Sequence, residues 1–245
     1  MITNEWVERG PNNVGGRTRM VMYDPNDATH KRVFAGGVSG GLWVNDDITD
    51  VNSSWTQVGI DDNLSVTCMA VDPNNSQIMY IGTGELYNPQ QALGNGIWKS
   101  IDGGATWVNV YQLRETTSVT SSIIVPGTYF MTDIIVRDKD GNPATTNDSE
   151  VFASIGGAFY SSNPISTWVG LNDYGIFKST DQGANWSQLT LEVDGKPVAA
   201  NKFEIGIDNT LWLSTTRNVW GRGGGRVYNS ADGTNFTLKH SIPNG

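Results

Sequence analysis

Lys99-Ser100-Ile101-Asp102-Gly103-Gly104-Ala105-Thr106-Trp107 sets a carboxylate among glycines, next to a serine and a tryptophan. Met in isolation, it could be taken for an active site. The pattern returns as Lys178-Ser179-Thr180-Asp181-Gln182-Gly183-Ala184-Asn185-Trp186, and in shortened form as Asn229-Ser230-Ala231-Asp232-Gly233-Thr234-Asn235-Phe236. A catalytic carboxylate is needed once; a device present in each of several copies belongs to the building. Asp102, Asp181 and Asp232 are therefore read as turn acceptors for backbone N–H groups. Gly104 and Gly183 supply positive φ, and Trp107 and Trp186 close the turn by packing sideways.

The sequence on either side of these turns repeats too. Alternating strands stopped by Asp-Pro-Asn run from Arg17 to Asn26 and from Val66 to Asn74, with counterparts at Met131–Asp138 and Lys202–Asp208. A second strand follows each: Val33-Phe34-Ala35-Gly36, Met79-Tyr80-Ile81-Gly82, Val151-Phe152-Ala153-Ser154 and Leu211-Trp212-Leu213-Ser214. The small residue after the aromatic pair allows neighbouring backbones to approach closely. The third strands begin Leu42-Trp43, Ile97-Trp98, Ile176-Phe177 and Val227-Tyr228, and the fourth begin at Trp55, Trp107, Trp186 and Phe236. Four short strands per unit, recurring at about 45–65 residues, are the signature of β-propeller blades. The expected fold is all-β: four-stranded antiparallel blades at 14–60, 64–111, 131–194 and 200–243, preceded by a closing strand at 5–10. A complete four-bladed ring and an arc of a larger ring of about six to eight blades are both compatible with this count.

Composition agrees. The 245 residues include Gly 29 and Pro 9 with only 17% charged side chains, which favours turns over helices. No sustained i, i+3, i+4, i+7 apolar pattern is present. A net charge of −9 disfavours nucleic acid and anionic membranes, since phosphate binding needs clustered Lys and Arg. No run of about 18 apolar residues could span a membrane. Cys68, in an apolar run and far from any histidine, reads as a core residue.

Ser100 to Trp107 resembles the Asp-box, or BNR repeat, of sialidase, xyloglucanase and sortilin-like propellers. Ser179 to Trp186 matches with Asn185 in place of Thr; Ser230 to Phe236 is one residue short; the first copy is degenerate. Gly-Pro-Asn-Asn-Val-Gly-Gly-Arg (10–17), Phe-Ala-Gly-Gly-Val-Ser-Gly-Gly-Leu-Trp (34–43) and Tyr-Ile-Gly-Thr-Gly-Glu (80–85) are similar to propellers of exoproteins exported by Bacteroidetes, often by the type IX route. The resemblance implies a secreted or cell-surface location and a larger ring, with the remaining blades or another protein chain as partner. It carries no activity by itself.

Enzymatic readings find little support. The arginines do not reproduce the sialidase pattern. Where xyloglucanase-like enzymes carry an Asp before Gly-Gly, Gly36-Gly37-Val38-Ser39-Gly40-Gly41 has no carboxylate, which removes half of the pair a glycosidase needs. Glu85 and Asp173 remain weak candidates for an acid. His30 and His240 make no zinc set; no cofactor is expected, and Asn45–Asp50, which offers calcium ligands, reads as a solvated acidic loop. Asp138-Lys139-Asp140-Gly141-Asn142 reads as a hairpin turn.

Long segments gather on one face: 86–95, 111–130, 157–173 and 217–224. Their Tyr87, Phe159, Tyr160, Trp168 and Trp220, with Arg217 and Arg222, offer aromatic platforms and polar forks suited to a glycan or an extended peptide. The expected role is non-catalytic recognition. The alternatives are a glycoside hydrolase-type domain and a scaffold linked to secretion.

Overall fold

The computed structural model describes residues 17–60, 64–86, 92–111, 123–125, 130–142, 144–162, 165–170 and 173–242. The expected closing strand at 5–10 and Tyr87 lie outside these described residues. Among the described residues the chain is all-β. The first blade is β1 (Thr18–Tyr23), β2 (Val33–Gly37), β3 (Leu42–Asn45) and β4 (Trp55–Gln57). The second is β5 (Val66–Asp72), β6 (Asn75–Thr83), β7 (Ile97–Ser100) and β8 (Val108–Tyr111). After β9 (Ile123–Val125), the third blade begins with β10 (Phe130–Arg137) and β11 (Glu150–Gly156). It leaves for a hairpin of β12 (Ala158–Ser162) and β13 (Ile165–Val169), then resumes with β14 (Gly175–Ser179) and β15 (Ser187–Gln188). A small hairpin, β16 (Glu192–Val193) and β17 (Lys196–Pro197), leads to the fourth blade. That blade is β18 (Ala199–Ile205), β19 (Leu211–Thr216), β20 (Arg226–Ser230) and β21 (Thr237–Ser241).

Each blade is an antiparallel meander in sequence order. These are propeller blades, and their first strands pack in series: β1 on β5, β5 on β10, β10 on β18. Burial follows position in the series. In β11 every residue is buried, because both faces of an inner blade are covered. In β1 the alternation survives, with Met20 buried against the second blade and Val21 and Tyr23 exposed on the outer flank. The last strand, β21, is exposed along its length, and its Lys239 and His240 suit an edge that must not pair with other chains.

The small residue after the second-strand aromatic sits where blades approach most closely. A Cβ at Gly36 would meet the Val66 carbonyl and stand 2.9 Å from Val66 Cγ1; one at Gly82 would stand 2.7 Å from Met131 Cβ. The third blade has Ser154 here. It is tolerated because Oγ accepts from Ala200 N at 2.9 Å and donates to Ala200 O at 3.1 Å.

Every first strand carries a bulge at the same point, leaving Arg19, Thr67, Thr132 and Asn201 outside the ladder. The two threonines use the freed geometry to tie blades together. Thr67 Oγ1 donates to Met131 O at 3.0 Å, and Thr132 Oγ1 to Ala200 O at 2.6 Å. Cys68 is buried among these strands, and desolvation pushes its thiol well above the ordinary range, which fits a core role rather than a nucleophile.

Candidate binding face and the turns beneath it

The Ser-x-Asp turns join third to fourth strands, at the end of the blades opposite the long segments. In the second blade, Ser100 Oγ accepts from the buried Gly104 N at 2.8 Å and donates to Asp102 Oδ1 at 2.7 Å. Asp102 then takes Thr106 N at 2.9 Å and Thr106 Oγ1 at 2.6 Å. Gly104, at φ 87°, gives its carbonyl to Trp107 Nε1 at 3.0 Å. The third blade repeats this with Ser179, Asp181, Gly183 (φ 89°), Asn185 and Trp186. In the fourth, Asp232 accepts from Ser230, Thr234 and Asn235. The first blade lacks the motif but uses its chemistry: Asn45 Oδ1 takes Asp47 N at 3.0 Å and Ser53 Oγ at 2.8 Å, while Asp47 takes Thr49 N at 2.9 Å.

Serine and aspartate divide the turn between them: the serine holds the buried Gly104 amide, and the aspartate accepts from the exposed Thr106. Ser100→Ala should therefore cost about 1–3 kcal/mol, leaving a buried N–H unpaired, and Asp102→Ala less. Denaturant midpoints of the two variants check this order.

The same bonds set a pH dependence. The Thr106 hydroxyl, the Thr106 amide and the Ser100 hydroxyl hold the Asp102 carboxyl at about 2. Asp181 is lowered by the Asn185 side chain and amide, and Asp232 by the Asn235 amide. An unfolded aspartate titrates near ~3.9, so the unfolded chain binds protons first as the pH falls. The turns' contribution is present above about pH 4 and is lost as the pH drops through 2. Denaturation midpoints should fall across that window, and Asp102→Asn should flatten part of the slope.

On the opposite end of the blades the structure brings some of the expected residues together. Asn218, buried, organises the β19–β20 loop: its Oδ1 accepts from Trp220 N at 3.1 Å and Arg222 N at 2.8 Å, and its Nδ2 donates to Pro197 O at 3.0 Å. Trp220 is thereby set edge-on against the buried Tyr174, ring centroids 5.4 Å apart at 74°. Lys196, from the β16–β17 turn, holds its ammonium 5.2 Å from the Trp220 ring centre. Arg222 faces Asp194 at 3.7 Å, both exposed. Arg217 lies exposed at the mouth of the same loop, its backbone packed on Gly224.

The segment 157–173, expected as a loop, is instead built structure. Hairpin β12–β13 pairs Phe159 with Trp168 and Tyr160 with Thr167, and β13 runs parallel to β9 in a three-stranded sheet of its own. Trp168 is half-buried. Phe130, Ala158 and Val169 form a small core with Leu86, which joins the second blade's long loop to this sheet.

The two weak acid candidates are both buried. Glu85, 2% exposed, is bridged by Arg17 Nη2 and, at 3.2 Å, by Arg19 Nε. Asp173 is fully buried, its amide bonded to Gly170 O at 3.3 Å. Asp138, Asp140 and Asp148 bring carboxylate oxygens within 4.8 Å of one another. Turn amides and hydroxyls occupy them: Gly141 N on Asp138, Asn142 N and Thr145 Oγ1 on Asp140, and Asp140 N on Asp148.

The sequence offered no signal for Asn218, Lys196 or Tyr174, which matter only through what the fold sets beside them. Among the described residues, no helix is long and apolar enough to cross a membrane.

No family model matches the chain. Xyloglucanase Xgh74A of Acetivibrio thermocellus is 32% identical over 124 residues, 49% of this chain and 12% of that protein. A xyloglucanase of Paenibacillus sp is 31% identical over 161 residues, 62% of this chain and 13% of that protein. The chain thus spans about one-eighth of the length of these curated relatives. Among solved structures, the GH74 enzyme of Niastella koreensis superposes with a TM-score of 0.54 at 21% identity, over 90% of this chain and 30% of that one. At that identity the likeness is one of fold, and the fold is a β-propeller's.

Proposed function

We propose that this chain is a carbohydrate-recognition part of a propeller, holding a β-glucan chain of the xyloglucan class on the long-segment face. The observation that carries the reading is Trp220. It is a half-buried ring fixed by a buried tyrosine, on a loop tied down by a buried asparagine, with Lys196, Arg222 and Asp194 around it. A rigid aromatic with polar groups at its margin suits a sugar ring, whose C–H face stacks while its hydroxyls bond at the rim. An exposed ammonium over an indole is worth only about 0.5–1 kcal/mol, so Lys196 yields the ring face to a ligand at small cost. The xyloglucanase names of the relatives support a plant-type β-glucan as the ligand class. On this reading the Ser-x-Asp turns are Asp-boxes, structural throughout, and the chain works outside the cell, where polysaccharide is met.

Binding without turnover is favoured by Glu85, whose carboxylate is buried and neutralised by two arginines and so is poorly placed to protonate a leaving group. Titration calorimetry with xyloglucan oligosaccharides should show binding, and a reducing-end assay no release of product. Trp220→Ala should weaken binding at least about tenfold, a loss of ~1.4 kcal/mol, while the variant keeps the β-rich circular dichroism of the parent chain. Absence of binding would overturn the proposal, as would turnover abolished by Glu85→Gln.

A further inference from the structure

Charge is divided between the two ends of the blades. At one end every first-to-second and third-to-fourth strand turn carries or adjoins an aspartate, from Asp24 and Asp47 in the first blade to Asp208 and Asp232 in the fourth. The other end differs at the fourth blade. There hairpin β16–β17 and the β19–β20 loop bring Lys196, Arg217, Arg222 and Arg226 to the segment that carries Trp220. Lys196 pairs with Val193 across the hairpin, and a Cβ on Gly223 would lie 3.8 Å from Val193 Cβ, so the pair faces the loop. Glu192, one residue earlier, points to the other side of the hairpin. Asp194, at the hairpin turn, stands 3.7 Å from Arg222, both side chains well exposed.

The backbone that carries these cations is pinned from inside. Thr215, 7% exposed, accepts from Arg226 N through Oγ1 at 3.1 Å and donates to Gly223 O at 2.5 Å. Buried Asn218 holds Trp220 N and Arg222 N. Arg226 Nη1 lies on Gly224 O at 3.3 Å, and the Arg217 backbone packs on the same glycine. Three guanidiniums thus leave one fixed frame. The net charge of −9 does not cancel them. The six residues of β19, at ~3.3 Å each, set the acidic turns about 17 Å away, roughly twice the ~8 Å screening length at physiological salt.

We propose that the glycan held on Trp220 is acidic: a β-glucan whose units carry carboxylates, taken by Arg222 and Arg217 beside the stacked ring. The inference rests on the carbohydrate reading of that platform. A planar guanidinium matches a carboxylate with two parallel N–H bonds, a match that a neutral sugar leaves unused. A long, exposed ion pair contributes little, so Asp194 yields Arg222 to a ligand carboxylate at small cost. An acidic peptide would satisfy the guanidiniums but offer the indole no flat C–H face to stack on.

The test uses xyloglucan oligosaccharides and the same oligosaccharides oxidised at their primary hydroxyls to carboxylates, titrated into the full chain. The oxidised form should bind about tenfold more tightly at low salt, and the preference should shrink to about threefold or less at about 0.5 M salt. Arg217→Gln with Arg222→Gln should bring the oxidised form down to the affinity of the neutral one. Asp194→Asn should raise affinity for the oxidised form, since asparagine tolerates the φ of 53° at that turn. Equal affinity for the two forms, or a preference that survives the double variant, overturns this inference and leaves the platform standing. Binding of neither form overturns the platform reading and this one with it. Polyglutamate competing as strongly as the oxidised form, through the same arginines, would make the occupant a polypeptide and overturn the proposal too.

Discussion

Glu150→Ala should be the most damaging single substitution in the molecule, lowering stability by about 3–5 kcal/mol. Glu150 is 2% exposed and faces two cations. Its Oε2 receives Arg137 through Nη2 and, at 3.1 Å, through Nε; its Oε1 receives Lys178 Nζ at 2.6 Å. Arg137 is itself 1% exposed. The Phe152 ring lies beneath both cations, 5.7 Å from the guanidinium carbon and 5.5 Å from the ammonium. Arg137 Nη1 also donates to Ala231 O at 3.0 Å, so the network pins the turn of the fourth blade to the third. Removing the carboxylate leaves two desolvated positive charges facing each other with no counter-ion. Removing all three charges together is a different matter, since well-packed apolar replacements of a buried ion network are often tolerated. The triple variant Arg137→Met, Glu150→Leu, Lys178→Met should therefore be markedly more stable than Glu150→Ala alone. Guanidinium titrations of both give the answer, and a loss below about 1 kcal/mol for Glu150→Ala, the range of exposed pairs, would mean that water reaches the site.

Gly36→Val should cost about 3 kcal/mol or more by overpacking. The added Cβ meets the Val66 carbonyl, a backbone atom that can yield only if β5 moves, together with Val66 Cγ1 at 2.9 Å. Since β2 packs on β5 through this contact, the whole first blade is pushed outward. Gly82→Val should behave alike, with Cys68 Sγ at 2.5 Å and Met131 Cβ at 2.7 Å from the new Cβ. Gly36→Ser is the informative control. Serine is native at the same place in the third blade, where its hydroxyl bonds both ways with Ala200, so Gly36→Ser should fall between wild type and valine. Thermal unfolding of the three variants ranks them. Equal midpoints for glycine and valine would show that the blades are not in contact at that point.

Much of the blade architecture is legible in the chain because its signals are local. Alternation along Val66–Asp72, the Asp-Pro-Asn stops and the Ser-x-Asp-x-Gly turns each act within a few residues, and four repetitions turn a weak signal into a strong one. The first blade's turn was harder to read. Asn45 and Asp47 do the work of serine and aspartate, a substitution that preserves the acceptors while erasing the motif. The hairpin inserted in the third blade escaped for another reason. A segment with Asn163-Pro164 midway along its sequence and glycines at both ends reads as loop until a parallel partner, β9, gives its strands something to pair with.

The sequence by itself determined the all-β class and the four-strand unit, and it placed Asp102, Asp181 and Asp232 in turns, where each accepts backbone N–H groups. Only the tertiary structure decided which charges meet. Glu85 finds Arg17 68 positions away, and Arg137 finds Ala231 at a separation of 94. Tyr174 and Trp220 become one platform because the insertion of the third blade and the last long loop of the fourth reach the same rim. Turn chemistry depends on neighbours in the chain and can be read there. A candidate binding face and a buried ion network depend on neighbours in space, and those exist only once one blade is laid against the next.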